Sequence, residues 1–361
     1  MKIPERKKDE VIKYNIQSHI DNLYERNSLP YRSSNIGASS IGNPCLRALY
    51  LSFRWAGGME EKKGRILRIF EMGSREEDIM VKCLKDIGVE MIHTGQEQLK
   101  IQLAPHIVVR PDGVIMSGLP DIEDLELEGV TYPLNFETKT MNRHNFDKLE
   151  KQGVRKAKPE YFAQSQCEME GISRELGLEC RYTFFTAICK DDCRIYAEII
   201  PYEEAKFNWY LEHANQAIYA DRLPEPYSID PESEYCKYCD HSIFCHVSNE
   251  SREVNCRTCA WARPDVDGTW KCSVYDNDSI PYEAQTKGCP CHSFNPSLVP
   301  YVVMPEATQE GRYIAFVGPD GKPVYNGYGC VPSKDLWLAM VKKTDTEVID
   351  DWGDPLNVIP Y

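Results

Sequence analysis

Asn135-Phe136-Glu137-Thr138-Lys139 lies within YPLNFETKT (132–140), a run bounded by turn-forming residues that predicts a strand. Side chains alternate across a strand, so Glu137 and Lys139 share one face while Phe136 and Thr138 share the other. The core face of a mid-chain strand should be apolar, so a carboxylate and an amine two residues apart are unusual there. On their own they read as a solvated strand face. Twenty-five residues before Glu137, Arg110-Pro111-Asp112-Gly113 follows the apolar Ile107-Val108-Val109. Pro-Asp-Gly is also a good turn, and its repeat at Pro319-Asp320-Gly321 is read as a turn only. Taken together, Asp112 and Glu137 on adjacent strands offer hard oxygen ligands to Mg²⁺ or Mn²⁺, with the Lys139 amine beside them. A cation held in this way can lower the pKa of a bound water and offset charge on a phosphodiester in the transition state.

Working outward, the spacing predicts an α/β chain with one mixed sheet. A Gly/Ser loop from 37 runs into an amphipathic helix ending near 55, with Cys45 at its start and Leu46, Leu49, Tyr50 and Phe53 at helical spacing. A second helix, 66–87, carries Ile66, Ile69, Phe70, Ile79, Met80, Leu84 and Ile87 and stops at Gly88. Strands are expected at 97–103, 106–116 and 132–140. A polar, basic stretch follows, then a helix over 159–177, a strand pair at 181–190 and 194–200 around a turn, and a helix over 202–220. Residues 1–36 read as an N-terminal lead, 37–250 as the core, 251–294 as a small Cys-rich module and 295–361 as a β or α+β element containing a turn-rich hairpin.

The 361 residues include 42 Lys+Arg against 56 Asp+Glu, a formal charge of −14, with 42% hydrophobic residues. This composition excludes a wholly disordered chain. The Lys-rich start (Lys2, Arg6, Lys7, Lys8) precedes no apolar core, and no run of 18 apolar residues occurs, so neither export nor a membrane span is expected. Bulk charge points to a cytosolic enzyme of small molecules, because phosphate affinity comes from Lys and Arg. The local balance differs. From Lys139 to Lys158 seven basic residues stand against two acids, a local +5 beside the candidate site, whereas residues 295–361 hold five basic and nine acidic residues. Such a basic patch could follow a nucleic-acid backbone.

Fifteen cysteines without an export signal point to metal rather than disulfides. Cys83, Cys167, Cys180, Cys189, Cys193 and Cys330 are scattered and read as buried or free thiols. Cys236-x2-Cys239-x5-Cys245 can converge on one centre that needs a fourth ligand, from His241, His246 or the distant Cys45. Cys256-x2-Cys259-x12-Cys272-x16-Cys289 fits a zinc ribbon, with Cys289, Cys291 and His292 all open as its fourth ligand.

An upstream helix with a Glu, then D-x(n)-E-x-K, then a helix with a Gln, resembles the PD-(D/E)xK nuclease superfamily. It is most similar there to RecB-type exonucleases that carry an iron–sulfur cluster, among them CRISPR-associated and phage relatives. The resemblance covers roughly residues 37–246. It implies a restriction-endonuclease-like core, a mixed sheet flanked by helices, and a metal-dependent DNA exonuclease of recombination or repair. Asp112, Glu137 and Lys139 match the signature. Glu77, four residues after Gly73, matches a carboxylate that completes the metal site, with Glu76 and Asp78 as neighbouring candidates. Gln164 matches a glutamine that contacts substrate or the metal's water. Where relatives carry a Tyr four residues later, this chain has Glu168, a departure. The resemblance also selects Cys45, with Cys236, Cys239 and Cys245, as ligands of a structural [4Fe-4S] cluster. Zn²⁺ would sit at Cys256, Cys259, Cys272 and Cys289. Expected partners are DNA ends or single strands and a recombination protein, in a bacterial cytoplasm, with a phage origin open. The rival reading is a non-catalytic nucleic-acid-binding or assembly module of the same fold.

Overall fold

The computed structural model describes residues 14–28, 32–57, 62–121, 129–275 and 278–341. Five strands form the central sheet: β2 (Glu90–Ile92), β5 (Gly113–Ser117), β6 (Leu134–Met141), β7 (Tyr182–Cys189) and β8 (Ile195–Pro201), side by side in that order. Only β6 and β7 run parallel, so the sheet is mixed, as expected. Parallel neighbours need a crossover, which here is two helices, α5 (Arg143–Ala157) and α6 (Pro159–Leu176).

The alternation of β6 divides two layers. Leu134 and Phe136 pack with Ile115 against Met80, Val81 and Leu84 of the long helix α4 (Gly64–Asp86). On the other face Phe185 and Ala187 of β7 meet Phe146, Phe162, Ala163 and Cys167 of α5 and α6. Helix α4 gives way to Gly88, whose φ of +100° suits glycine. Phe70, Ile79 and Ile87, expected on its apolar face, are exposed.

Three expectations change. The run 106–116 is two strands in different sheets. β4 (Ile107–Val109) joins β1 (Ile36–Gly37) and β3 (Ile101–Ala104) in a three-stranded sheet, and β5 joins the central one. The break falls at Arg110-Pro111-Asp112, where proline offers no N–H to a ladder. The strand expected from 97 starts only at Ile101, after a 3₁₀ turn at Gly95–Glu97. The basic stretch after β6 is helix α5, with Phe146, Leu149, Val154 and Ala157 buried and a break at Gly153 (φ +71°).

Helix α1 (Gln17–Asn27), within the expected lead, docks on α4 through Arg68–Asp21 at 2.9 Å and a Gly64 N–H donated to Glu25 at 2.7 Å. Residues 1–13 of the lead and 342–361 of the C-terminal piece lie outside the described residues. In the rest of that piece, β11 (Tyr313–Val317) and β12 (Pro323–Gly327) form the expected hairpin, with Gly321 (φ +79°) in its turn.

One continuous hydrophobic cluster runs from the central layers into the Cys-rich region, from Phe53 and Phe162 to Trp261, Trp270, Phe294 and Phe316. Arg257, 1% exposed, ties the two together. It donates to Gln285 Oε1 (2.9 Å), Phe53 O (2.9 Å) and Ser34 O (3.0 Å), and its guanidinium lies 3.9 Å from the Trp55 ring centroid. Replacing it with Met strands those carbonyls. Arg257→Met is therefore expected to lower unfolding free energy by about 3 kcal/mol or more in urea titrations. A loss under about 0.5 kcal/mol would show that the clamp is dispensable.

Candidate active site

The site forms where β5 begins beside β6. Gly113 pairs with Phe136, so the preceding Asp112 lies next to Glu137 and Thr138. Asp112 Oδ2 accepts the Thr138 N–H at 3.0 Å. Glu137 points to the α6 side and is completely buried. Its Oε1 accepts from Lys139 Nζ in a close ion pair and from Gln164 Nε2 at 3.0 Å, while Oε2 has no partner. Lys139 keeps about a quarter of its side chain exposed and lies 5.6 Å from the Tyr161 ring centroid. The alternation read from the sequence holds, and Asp112, Glu137, Lys139 and Gln164 come together as expected.

Helical spacing puts Glu168 one turn beyond Gln164 on the same face. Glu168 is also completely buried. Its Oε1 accepts from Gln164 Nε2 at 2.8 Å and its Oε2 from Asn135 Nδ2 at 3.1 Å. Sequence reading treated this position as a departure and missed it as a site residue. The available signal was an acid four residues after the glutamine, on a helix expected to face the sheet. Glu77 of α4 completes the group, half-buried and accepting from Gln98 Nε2 at 2.7 Å.

Glu137 pairs with Lys139, and Glu77, Asp112 and Glu168 lie near enough to feel the charge of the amine. Burial, then the charge of Asp112, pushes Glu77 up to about 7 against the opposing pull of Lys139. Burial and then Asp112 likewise raise Glu168 to about 8, despite its hydrogen bonds from Gln164 and Asn135. Burial also raises Asp112. A hard divalent cation fits this donor set. The carboxylates are oxygen donors, they repel one another, and the buried Glu137 Oε2 lacks any partner. A polar cavity of about 570 Å³ reaches Gln164 and Glu168. Ser33, Ser34 and Ser39 line it, with Lys100 and Arg110 as exposed cations.

The basic patch is smaller in three dimensions than along the chain. Arg155 pairs with Glu203 (2.5 Å), Arg143 with Asp192 (3.3 Å) and Lys158 with Glu160 (3.6 Å). Lys148, Lys151 and Lys156 remain exposed on α5.

Cys45, Cys236, Cys239 and Cys245 line one cavity of about 210 Å³, together with His241 and His246. The chain thus brings residue 45 to the distant triplet, as the resemblance implied. Cys45 sits at the N-cap of α3 (Leu46–Phe53). The His241 N–H points at Cys239 Sγ (3.4 Å), and His241 Nε2 bonds Ser52 Oγ at 2.7 Å. In the second group, Cys256 and Cys259 flank a 3₁₀ turn capped by Asn255. Cys272 ends the hairpin of β9 (Ala262–Pro264) and β10 (Trp270–Cys272), and Cys289 lies against Cys291 and near Cys259. Both ring nitrogens of His292 are engaged, Nδ1 with Ser333 Oγ (2.7 Å) and Nε2 with Thr258 Oγ1 (3.1 Å), which leaves neither for a metal. Among the described residues, no three His, Cys, Asp or Glu side chains are gathered tightly enough to mark an ion site. No helix among them is long and apolar enough to cross a membrane.

No protein-family model and no curated protein matches the chain. Several solved structures overlap it in part. One is an alkaline exonuclease (LHK-Exo) from Laribacter hongkongensis, 15% identical, covering 52% of this chain and 87% of its own at a TM-score of 0.34. LHK-Exo in complex with dAMP is 15% identical, covering 54% and 89% at 0.35. SSO0001 is 15% identical, covering 65% and 98% at 0.36. Likeness this low assigns nothing, so function rests on the chemistry of the site.

Raised carboxylates cost stability once they ionise. A group at about 4.5 when unfolded and at 7 to 8 when folded destabilises the native state progressively as pH rises through that window. In metal-free protein, Glu77→Gln and Glu168→Gln are therefore expected to raise the melting temperature at pH 8 and to change it less at pH 5. Thermal melts in EDTA check this, and lower melting temperatures for both variants at pH 8 would contradict it.

Proposed function

We propose that the chain is a metal-dependent DNA nuclease of the PD-(D/E)xK type, acting as an exonuclease on DNA ends or single strands in recombination or repair. The observation that carries this reading is Glu137, a fully buried carboxylate with one unpartnered oxygen, set beside Asp112 and within ion-pair contact of Lys139. Asp112 and Glu137 would hold Mg²⁺ or Mn²⁺, with Glu77 as third carboxylate. Such a cation lowers the pKa of a bound water and neutralises charge on the phosphodiester.

The protein's own groups supply the rest. The Gln164 amide fixes Glu137 Oε1, so Oε2 stays free to face a cation. The Thr138 N–H orients Asp112 in the same way. Lys139, held by Glu137 and partly exposed, orients the attacking water toward phosphorus. Hydrolysis forms a bond from water oxygen to phosphorus and breaks the ester bond, and the leaving oxygen takes a proton. Lys100 and Arg110 line the adjoining cavity, where their charge favours a phosphate backbone.

Cys45, Cys236, Cys239 and Cys245 would hold a [4Fe-4S] cluster, supported by four sulfurs around one shared cavity. The cluster would staple the start of the core to its end. The second group, Cys256, Cys259, Cys272 and Cys289, would take Zn²⁺, and the occupied nitrogens of His292 favour a cysteine as its fourth ligand. A recombination protein remains a proposed partner, in a bacterial cytoplasm.

Lys139→Ala is expected to abolish cleavage of end-labelled single- or double-stranded DNA with Mn²⁺ while the folded fraction still binds DNA. Full residual cleavage would sink the mechanism, and wild-type protein inert with both metals would favour a binding module. Anaerobic purification should give a brown protein that bleaches in air. A colourless protein containing only zinc would contradict the cluster assignment.

A further inference from the structure

Arg54 caps the C-terminal end of α3 and is only 5% exposed. Two buried arginines stand near each other here, and they differ. Arg257 has strong partners at Nε and at both terminal nitrogens. Arg54 has two long contacts, 3.4 Å each, both from Nη1 to the carbonyls of Arg257 and Ala262. Its Nε has no partner. The rings of Tyr50 and Trp270 lie 5.4 and 5.3 Å from the guanidinium, and no described carboxylate pairs with it. Taking a guanidinium out of water costs several kcal/mol unless a partner returns the loss. Arg54 is therefore an incompletely compensated buried cation.

It also lines an open cavity of about 550 Å³ walled by residues 219–221, just after α7 (Glu204–Ile218), by residues 260–264 including β9, and by Asn295 and Pro296. Tyr219 and Trp261 contribute aromatic wall. Arg263 stands exposed at the cavity without an ion pair among the described residues, and Asp221 is the one acid among its described lining residues. The three side chains leave a net local charge of +1. Guanidinium forks present paired donors that match the oxygens of phosphate. None of the carboxylates around Lys139 lines this cavity.

We propose that the cavity between the segment just after α7 and strand β9 binds a phosphate group, with Arg54 as buried anchor and Arg263 as the second cation at its rim. Its volume exceeds an isolated anion and admits a nucleotide. The phosphate could come from a bound nucleic-acid backbone or from a free nucleotide. The site shares no residue with the candidate active centre, so it stands whether or not the chain cleaves DNA.

The test uses full-length protein in EDTA, titrated with inorganic phosphate, a 5′-mononucleotide and a single-stranded oligonucleotide, against chloride at matched ionic strength. Calorimetry and thermal melts read binding. Wild-type protein is expected to bind at least one of the three saturably. Arg263→Glu, at an exposed position where folding is safe, is expected to weaken that binding about tenfold, one charge-assisted contact being worth that much. Arg54→Gln should weaken it further if the variant folds. An effect confined to the oligonucleotide assigns a backbone phosphate, and one seen with phosphate or mononucleotide assigns a free ligand. No saturable binding beyond chloride, or binding that Arg263→Glu leaves unchanged, overturns the proposal.

Discussion

An ionised carboxylate loses several kcal/mol of hydration when it is buried, and the surroundings must give that back. Glu137 sits fully buried in the central sheet, one strand in from β5, and much of the nearby architecture answers to it. Lys139 on the same strand face supplies opposite charge, and the Gln164 amide supplies a hydrogen bond from the crossover helix. One oxygen is left unanswered. A fold selected for stability alone would have placed a Val or Ile there. In the proposed reading a cation would supply the missing partner.

The same constraint explains where the other groups stand. Pro111 ends one ladder, so that Asp112 can turn in beside Glu137 just before β5 begins. Helix α6 presents Gln164 and Glu168 one turn apart, and both are held by hydrogen bonds rather than by opposite charge. Glu77 reaches the cluster from α4, on the far layer of the sheet. Without a cation, burial and the charge of Asp112 raise the proton affinity of Glu77 and Glu168, a cost the metal-free fold carries once they ionise.

Period-2 alternation and the spacing of Asp112, Glu137 and Lys139 made the centre of this arrangement legible in the sequence. The α6 helix, the β7–β8 pair and the late hairpin were legible too, because each has a clean pattern and clear punctuation. Helix α5 was hidden because its buried positions, Phe146, Leu149, Val154 and Ala157, are sparse among charges and interrupted at Gly153. The run 106–116 looked continuous because hydrophobicity does not say which sheet a strand joins. Glu168 could be seen only as a mismatch to a motif, since its hydrogen bonds come from distant Asn135 and neighbouring Gln164. Arg54 gave no signal at all. Its shortage of partners is a tertiary fact, set by Tyr50, Trp270 and a hairpin more than 200 residues away.

The central claim is that this carboxylate cluster is a divalent-cation site organised by Glu137. Mn²⁺ binding to metal-free full-length protein, followed by calorimetry and by electron paramagnetic resonance, tests it without reference to cleavage. The account predicts saturable binding that Glu137→Gln reduces at least tenfold while the fold, read by circular dichroism, stays the same. Wild-type protein that does not bind Mn²⁺, or a Glu137→Gln variant that binds it as tightly, would contradict the account.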